Sequence, residues 1–214
     1  MAATQLQVYE QAIQALGETA ISALTDNRSI RYELDKVWDS NGREYCLELG
    51  LWNFAMRTAE VSYDPDVGPS YGYQYGFSKP DDWLRTAAFC SDEYFREPIV
   101  NYEDEGGYLY CDLDTVYWKF VSKDSSYGLD LSRWPATFTQ YVAYYFASRI
   151  APYHTKDKDA LKMLAQATKM ALREARSKDA MDEPAKFPAG GSWARSRSQG
   201  RSLLERGSRS SFTG

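Results

Sequence analysis

The apolar residues of this chain repeat with a helical period at both ends of the sequence and with a period of two in the middle. This change of period constrains the fold more than any other feature. The first helical stripe consists of Leu6, Tyr9, Ala12, Ile13 and Leu16. Gly17 follows it directly and is placed to end the helix. The chain is therefore expected to open with one amphipathic helix.

Three further helices are predicted from the same periodicity. The second begins at a cap on Asp26 or Asn27 and runs toward Leu47, with a bend or break at Asn41-Gly42. The third starts at Pro135, a favourable proline for a first helical turn, and ends at Pro152. The fourth covers about residues 157–180, and its small and apolar residues share one side, which favours close helix packing within the chain or between subunits.

Between Trp52 and Phe120 the pattern alternates, as is typical of strands. One alternating run contains Tyr71, Tyr73, Tyr75 and Phe77. Gly106-Gly107 is predicted to form a hairpin turn that joins residues 99–102 to residues 108–111. The middle of the chain is therefore predicted to be an antiparallel sheet of several short strands.

These elements predict an α+β fold: a four-helix unit with a β-rich antiparallel insertion between helices two and three, plus an extended C-terminal arm. The helical domain covers residues 1–52 and 130–183, the insertion residues 53–129, and the arm residues 184–214. A length of 214 residues suits one compact unit with such additions. Since no run of eighteen apolar residues or signal-peptide pattern occurs, we expect assembly in the cytoplasm.

Charge is distributed unevenly along the sequence. The arm has six basic residues and one acidic residue, a net charge of +5, whereas residues 1–183 have a net charge of −10. Its Ser- and Gly-rich composition is typical of a segment that does not fold alone. Two interpretations are open: a solvated terminus, or an arm that lies along another protein and uses its few large apolar residues as anchors.

Histidine and cysteine, two residue types common at catalytic and metal sites, are few. There is one histidine, His154, and the three cysteines, Cys46, Cys90 and Cys111, show no CxxC spacing. We interpret the cysteines as small buried hydrophobic residues and His154 as a loop or capping residue. No nucleotide-binding, metalloprotease or serine hydrolase motif is present. We therefore expect no catalytic residues, no metal and no cofactor, and no enzymatic activity.

Two acidic patterns in the sequence bear on this expectation. Asp64 to Gly68 resembles the start of a calcium-binding loop, but its twelfth position is Tyr75 rather than a glutamate, so a turn is favoured. A second acidic series consists of Glu103, Asp104, Glu105, Asp112 and Asp114. Paired carboxylates of this kind serve glycoside hydrolysis, as in a cell-wall-degrading enzyme, but beside hairpin turns they are more typical of solvated positions.

Five segments, in this order, resemble the tail tubular protein A family, the head-to-tail adaptors of short-tailed bacteriophages. They are AIQALGE (12–18), WNFAMR (52–57), YQYGFSKPDDWLR (73–85), GGYLY (106–110) and WPATF (134–138). The resemblance spans about residues 6–180. The family usually has leucine where this chain has Ser78, and the arm matches no family motif.

The resemblance implies a non-enzymatic virion protein at the head-tail junction. Members of the family form a dodecamer beneath the portal ring, extend the DNA channel used in ejection, and support the tail nozzle. The arm is expected to bind the portal protein. The residues expected at this contact are Phe187, Trp193, Arg195, Arg197, Arg201, Leu203, Leu204 and Arg206. The residues expected at the tail side or at the subunit interface are Tyr71, Tyr73, Tyr75, Tyr108 and Tyr110.

The arm also supports an alternative function, a nucleic-acid-binding or genome-packaging accessory protein. Its arginines are suited to phosphate contacts with counterion release. The acidic body is a poor surface for phosphate, although it is suited to line a passage through which DNA slides without binding. The sequence leaves open whether the arm binds portal or DNA.

Overall fold

The computed structural model describes residues 3–70 and 72–182, and these contain five α-helices and six β-strands. The helices are α1 (Gln5–Ala15), α2 (Ser29–Val37), α3 (Arg43–Glu48), α4 (Ala136–His154) and α5 (Lys158–Met181). The strands are β1 (Met56–Ser62), β2 (Tyr75–Ser78), β3 (Trp83–Cys90), β4 (Glu103–Glu105), β5 (Tyr108–Cys111) and β6 (Thr115–Ser122). Helices and antiparallel sheets occur together, so the fold is α+β as predicted.

Helix α1 begins and ends on local hydrogen bonds. The Thr4 side chain accepts from the Gln7 N–H at its start. At its end the Gly17 N–H donates to Gln14 and the Glu18 N–H to Ile13, the two bonds of a Schellman motif. The predicted stop at Gly17 is confirmed.

The second helix breaks where the sequence predicted it. A π-helical turn over Trp38–Gly42 separates α2 from α3, and Asn41 adopts a left-handed conformation with φ 63°. The predicted cap is wrong: α2 starts after Arg28, without a side-chain cap bond. Asp26 lies too early for that role, and its carboxylate instead accepts from the Ser22 and Ala23 N–H groups at 2.7 and 3.3 Å.

Helix α4 departs from its prediction at both ends. Pro135 precedes the helix, with ψ 150°, and Pro152 lies inside the last turn rather than ending it. Proline removes only its own N–H, so one helical bond is lost, and the Thr155 N–H still donates to Ala151 at 2.9 Å. Helix α5 packs on α4 within the chain, and its small residues Ala171 and Ala175 are buried, in agreement with the predicted close helix packing.

The strands form two three-stranded antiparallel sheets with the orders β1-β6-β3 and β2-β5-β4. The Gly106-Gly107 hairpin turn is confirmed, with φ values of 60° and 91°. Its first strand is Glu103–Glu105, not residues 99–102 as predicted. Residues 98–99 instead lie beside β3. The Ile99 N–H donates to the Phe89 carbonyl, and Pro98 forms an isolated antiparallel β-bridge with Cys90.

Two hydrophobic clusters fill the interior. The helical cluster includes residues of α1 to α5, and Val121, Met56 and Leu84 at one end of the larger sheet also pack against it. The sheet cluster consists of Phe77, Phe89, Leu109, Cys111, Val116, Trp118 and Phe120. All three cysteines are free and buried, which confirms their interpretation as small core residues.

Asp82, in the loop between β2 and β3, forms hydrogen bonds with two strands of the larger sheet, β1 and β6. Its carboxylate accepts from the Arg57 guanidinium of β1 at 2.9 Å and from the Ser122 hydroxyl of β6. Its carbonyl accepts from the Lys123 N–H at 2.8 Å. Burial favours the neutral acid, but the bonds from Ser122 and Arg57 outweigh burial and hold the pKa of Asp82 below its ordinary value.

Replacing Asp82 by asparagine is expected to lower the free energy of unfolding by about 1–3 kcal/mol at pH 7, because two donors lose a charged acceptor. The folded-state pKa is depressed, so this stabilisation is present above the unfolded pKa of about 4 and is lost as the pH falls through the folded-state pKa. Denaturant unfolding between neutral and acidic pH measures both effects. The exposed neighbour Asp81→Asn is the control, and an equal loss in both variants, or a loss that does not shrink in acid, contradicts the assignment.

Candidate interaction surfaces

The smaller sheet turns one face to the core and one face outward. On β5, Leu109 and Cys111 are buried, so Tyr108 and Tyr110 project from the opposite face. The strand register pairs Glu105 with Tyr108 and Glu103 with Tyr110. These four side chains share what we call the outer face, which combines two aromatic rings with two carboxylates.

The structure does not bring the predicted tyrosines into one surface. Tyr75 pairs with Cys111 and therefore lies on the core face of the sheet, where its ring is 4.9 Å from that of Tyr63. Tyr73 lies before the strand, in a turn where its N–H donates to Ser70. The predicted alternating run is thus a strand only from Tyr75 onward, and Tyr71 lies outside the described residues.

The loop between β1 and β2 contacts the outer face. Val67 and Tyr110 both pack against the position of Gly76, where an added Cβ would lie 2.5 and 3.0 Å from them. The Ser70 hydroxyl donates to Glu105 at 3.2 Å. The start of this loop is the predicted turn, since the Asp64 carbonyl and carboxylate accept from the Val67 and Asp66 N–H groups.

The negative charge of the body is concentrated in the β-rich segment. Residues 53–129 contain fourteen acidic and six basic residues, a net charge of −8, whereas the flanking ranges 1–52 and 130–183 together have a net charge of −2. The carboxylates of strand β4 are exposed. Asp104 pairs with Lys79 at 2.7 Å, while Glu103 and Glu105 make no ion pair within the described residues. This segment repels phosphate and favours a cationic partner.

The loop between β3 and β4 presents apolar side chains to solvent. Val100 is 83% exposed and Tyr94 69%. Asp92 orders the loop by accepting from the Arg96 and Glu97 N–H groups at 2.9 and 2.8 Å. Hydrogen bonding to the Glu97 backbone is the main cause that lowers the pKa of Asp92. This loop was not predicted from the sequence, although its adjacent apolar residues Ile99 and Val100, close to several acidic residues, were a signal for it.

His154 joins two helices rather than occupying a loop. It is the last residue of α4, and its Nε2 lies 2.7 Å from a carboxylate oxygen of Glu33 on α2. Within residues 3–70 and 72–182, no three His, Cys, Asp or Glu side chains are grouped so as to hold a metal.

Two further features lie on the helices. Helix α5 exposes Met163, Met170 and Met181, and a groove with three glutamines runs between α1 and α4. Neither was found from the sequence, because exposure and the pairing of α1 with α4 depend on the tertiary fold. Every helix among the described residues is too short or too polar to span a lipid bilayer.

The predicted portal contacts lie outside the described residues. They are Phe187, Trp193, Arg195, Arg197, Arg201, Leu203, Leu204 and Arg206. Comparison with known proteins adds no relative: no protein-family model matches the sequence, and a search of curated proteins finds no match.

Proposed function

We propose that this protein is a structural head-to-tail adaptor of a bacteriophage virion. It forms a homo-oligomeric ring, a dodecamer by family resemblance, between the portal protein and the tail nozzle, and it extends the channel for genomic DNA. It acts by assembly and not by catalysis. It is assembled in the host cytoplasm and resides at the head-tail junction of the virion.

The observation that carries the proposal is where the five family-like segments lie. Each falls at a point where the chain enters, leaves or turns between elements: the end of α1, the start of β1, the β2–β3 connection, the β4–β5 hairpin and the start of α4. Such positions fix the path of a chain, so a shared order of these segments supports a shared topology.

Two of these segments make hydrogen bonds at the places where the helices and strands connect, and one of these bonds joins distant parts of the chain. In WNFAMR, the Asn53 N–H donates to the Asp179 carboxylate at 3.0 Å, which links the start of β1 to the end of α5. In WPATF, the Trp134 indole N–H donates to the Gly128 carbonyl at 2.7 Å. Both bonds lie where the helices meet the strands.

The proposed arrangement is a four-helix unit (1–52 and 130–183) with a β-rich insertion (53–129) and an arm (184–214). The separate helical and sheet clusters support this division. The insertion has a charge of −8 and the arm +5. We assign the acidic insertion to a surface past which DNA moves without binding, and the arm to the portal.

Replacing Trp193, Leu203 and Leu204 together by alanine is expected to weaken binding to a portal ring by about tenfold or more, because buried aromatic and aliphatic anchors dominate most interfaces. Equilibrium binding to purified portal rings measures this. The matched control replaces Ser196, Ser202 and Ser208 by alanine and keeps every anchor. Unchanged portal affinity in the first variant would remove these residues from the contact.

The alternative function, a DNA-binding accessory protein, is favoured by the positive charge of the arm. It predicts DNA affinity whose logarithm falls steeply with the logarithm of salt concentration, with a slope near −0.9 for each phosphate neutralised. It also predicts loss of that affinity when the chain ends at Glu183. The adaptor proposal predicts specific portal binding instead.

A further inference from the structure

Helix α5 carries an exposed apolar stripe, the methionine face. Met163, Met170 and Met181 are 71%, 68% and 72% exposed. Met163 and Met170 are seven residues apart, which places them on one side of the helix and about 10 Å apart along its axis. Exposed methionines in line on a 24-residue helix are typical of an adaptable contact surface.

Two basic side chains lie beside Met170 at one edge of the methionine face, and the exposed Glu174 lies between Met170 and Met181. Lys169 and Arg173 are exposed on the same helix and make no ion pair with any residue the structure describes. The opposite side of α5 is already occupied, since Ala171 and Ala175 are buried and the Thr168 hydroxyl donates to the Tyr144 carbonyl of α4. The methionine face therefore points away from its own helical unit.

A groove between α1 and α4 has complementary features. It is lined mainly by Gln11, Gln14, Ala15, Ala136, Gln140 and Ala143, and none of its lining residues belongs to α5. Ala136 and Ala143 are also seven residues apart, so the small side chains recur at the same spacing as Met163 and Met170. The Gln11 Oε1 atom is buried without a hydrogen-bond partner in the described structure.

The acidic residues next to the groove favour a partner helix with basic side chains. Glu10 and Glu18 flank the groove-lining residues of α1 in sequence and carry charge opposite to that of Lys169 and Arg173. Gln166 lies midway between Met163 and Met170 and is exposed, so its amide is placed to bond with the glutamine side chains of the groove.

We propose that the methionine face of one copy binds the α1/α4 groove of a second copy. Met163 and Met170 insert beside Ala136 and Ala143, while Gln166 lies near Gln140. The two surfaces are different, so the contact is head-to-tail and closes into a ring or extends as a filament. Its assignment to an adaptor ring rests on the proposed function, but the contact itself does not require a portal.

Disulfide trapping tests this contact, since the native cysteines are buried. Gln140→Cys and Gln166→Cys proteins are mixed under mild oxidation, with and without a portal ring. These central positions meet whichever way the helices run. We expect a cross-linked dimer only in the mixture, and a ladder of higher species from the double variant. Val100→Cys, exposed on the sheet side, is the control.

Cross-linking of Gln166→Cys alone would instead indicate a symmetric α5 pair and overturn the head-to-tail contact. Absence of mixed cross-links under both conditions would overturn it too, and would leave the adaptor proposal standing if portal binding persists. Cross-links without portal binding would support the head-to-tail contact and contradict the adaptor proposal. As a second measurement, Met163→Asp with Met170→Asp should weaken self-association about tenfold or more, whereas Tyr153→Asp should not.

Discussion

Gly128→Ala is expected to lower the free energy of unfolding by about 3 kcal/mol or to prevent folding. A Cβ at this position would lie 2.2 Å from the Ser122 carbonyl oxygen and 3.0 Å from Leu47 Cδ1. The first atom is backbone at the end of β6, so it cannot move aside as a flexible side chain would. The Gly128 carbonyl also accepts from the Trp134 indole N–H, and that bond holds the chain as it returns from the sheet to the helices.

Denaturant unfolding of the purified variant measures this effect. Gly68→Ala is the matched control, because an added Cβ there meets nothing within 4 Å and the backbone is not left-handed. We expect the control to stay within about 0.5 kcal/mol of the parent protein. Equal stability of the two variants would mean that the connection after β6 does not pack closely against α3.

The elements that the sequence predicted are those set by local chemistry. Apolar periodicity located α1, α4 and α5, and the Gly106-Gly107 pair located the hairpin turn. The break at Asn41 also followed from its own residue type. In each case the signal lies within the element itself, either as a repeat of apolar residues or as residues that favour a turn.

The predictions that were wrong concern residues whose conformation is determined by tertiary contacts. Pro152 stays helical because one lost hydrogen bond near a helix end is outweighed by the packing of α4. The first strand of the hairpin was misplaced because residues 98–99 pair with β3 instead. Both outcomes depend on neighbours that are distant in the sequence.

The faces on which the tyrosines lie could not be predicted from the sequence for a related reason. Tyr75 and Tyr108 alternate alike in sequence, but the antiparallel register puts Tyr75 on the core face and Tyr108 on the outer face. Register is fixed by strand pairing, which a single sequence does not determine. The α1/α4 groove likewise exists only once two distant helices pack together.

Removing the arm is expected to abolish portal binding while leaving the fold intact. The arm has a charge of +5 and all eight predicted portal contacts, so a chain ending at Glu183 lacks both the electrostatic attraction and the apolar anchors. The buried residues of both clusters lie between Ala3 and Ala175. The truncated protein should therefore unfold at nearly the same denaturant concentration as the full chain.

The most direct test of the adaptor proposal is the mass of the assembly that forms when the protein is mixed with a portal ring, for the full chain and for the chain ending at Glu183. The proposal predicts that the full chain adds a ring of subunits to the portal and that the truncated chain adds none. If neither protein added mass to the portal while the full chain bound DNA, the adaptor proposal would be wrong and the DNA-binding function would replace it.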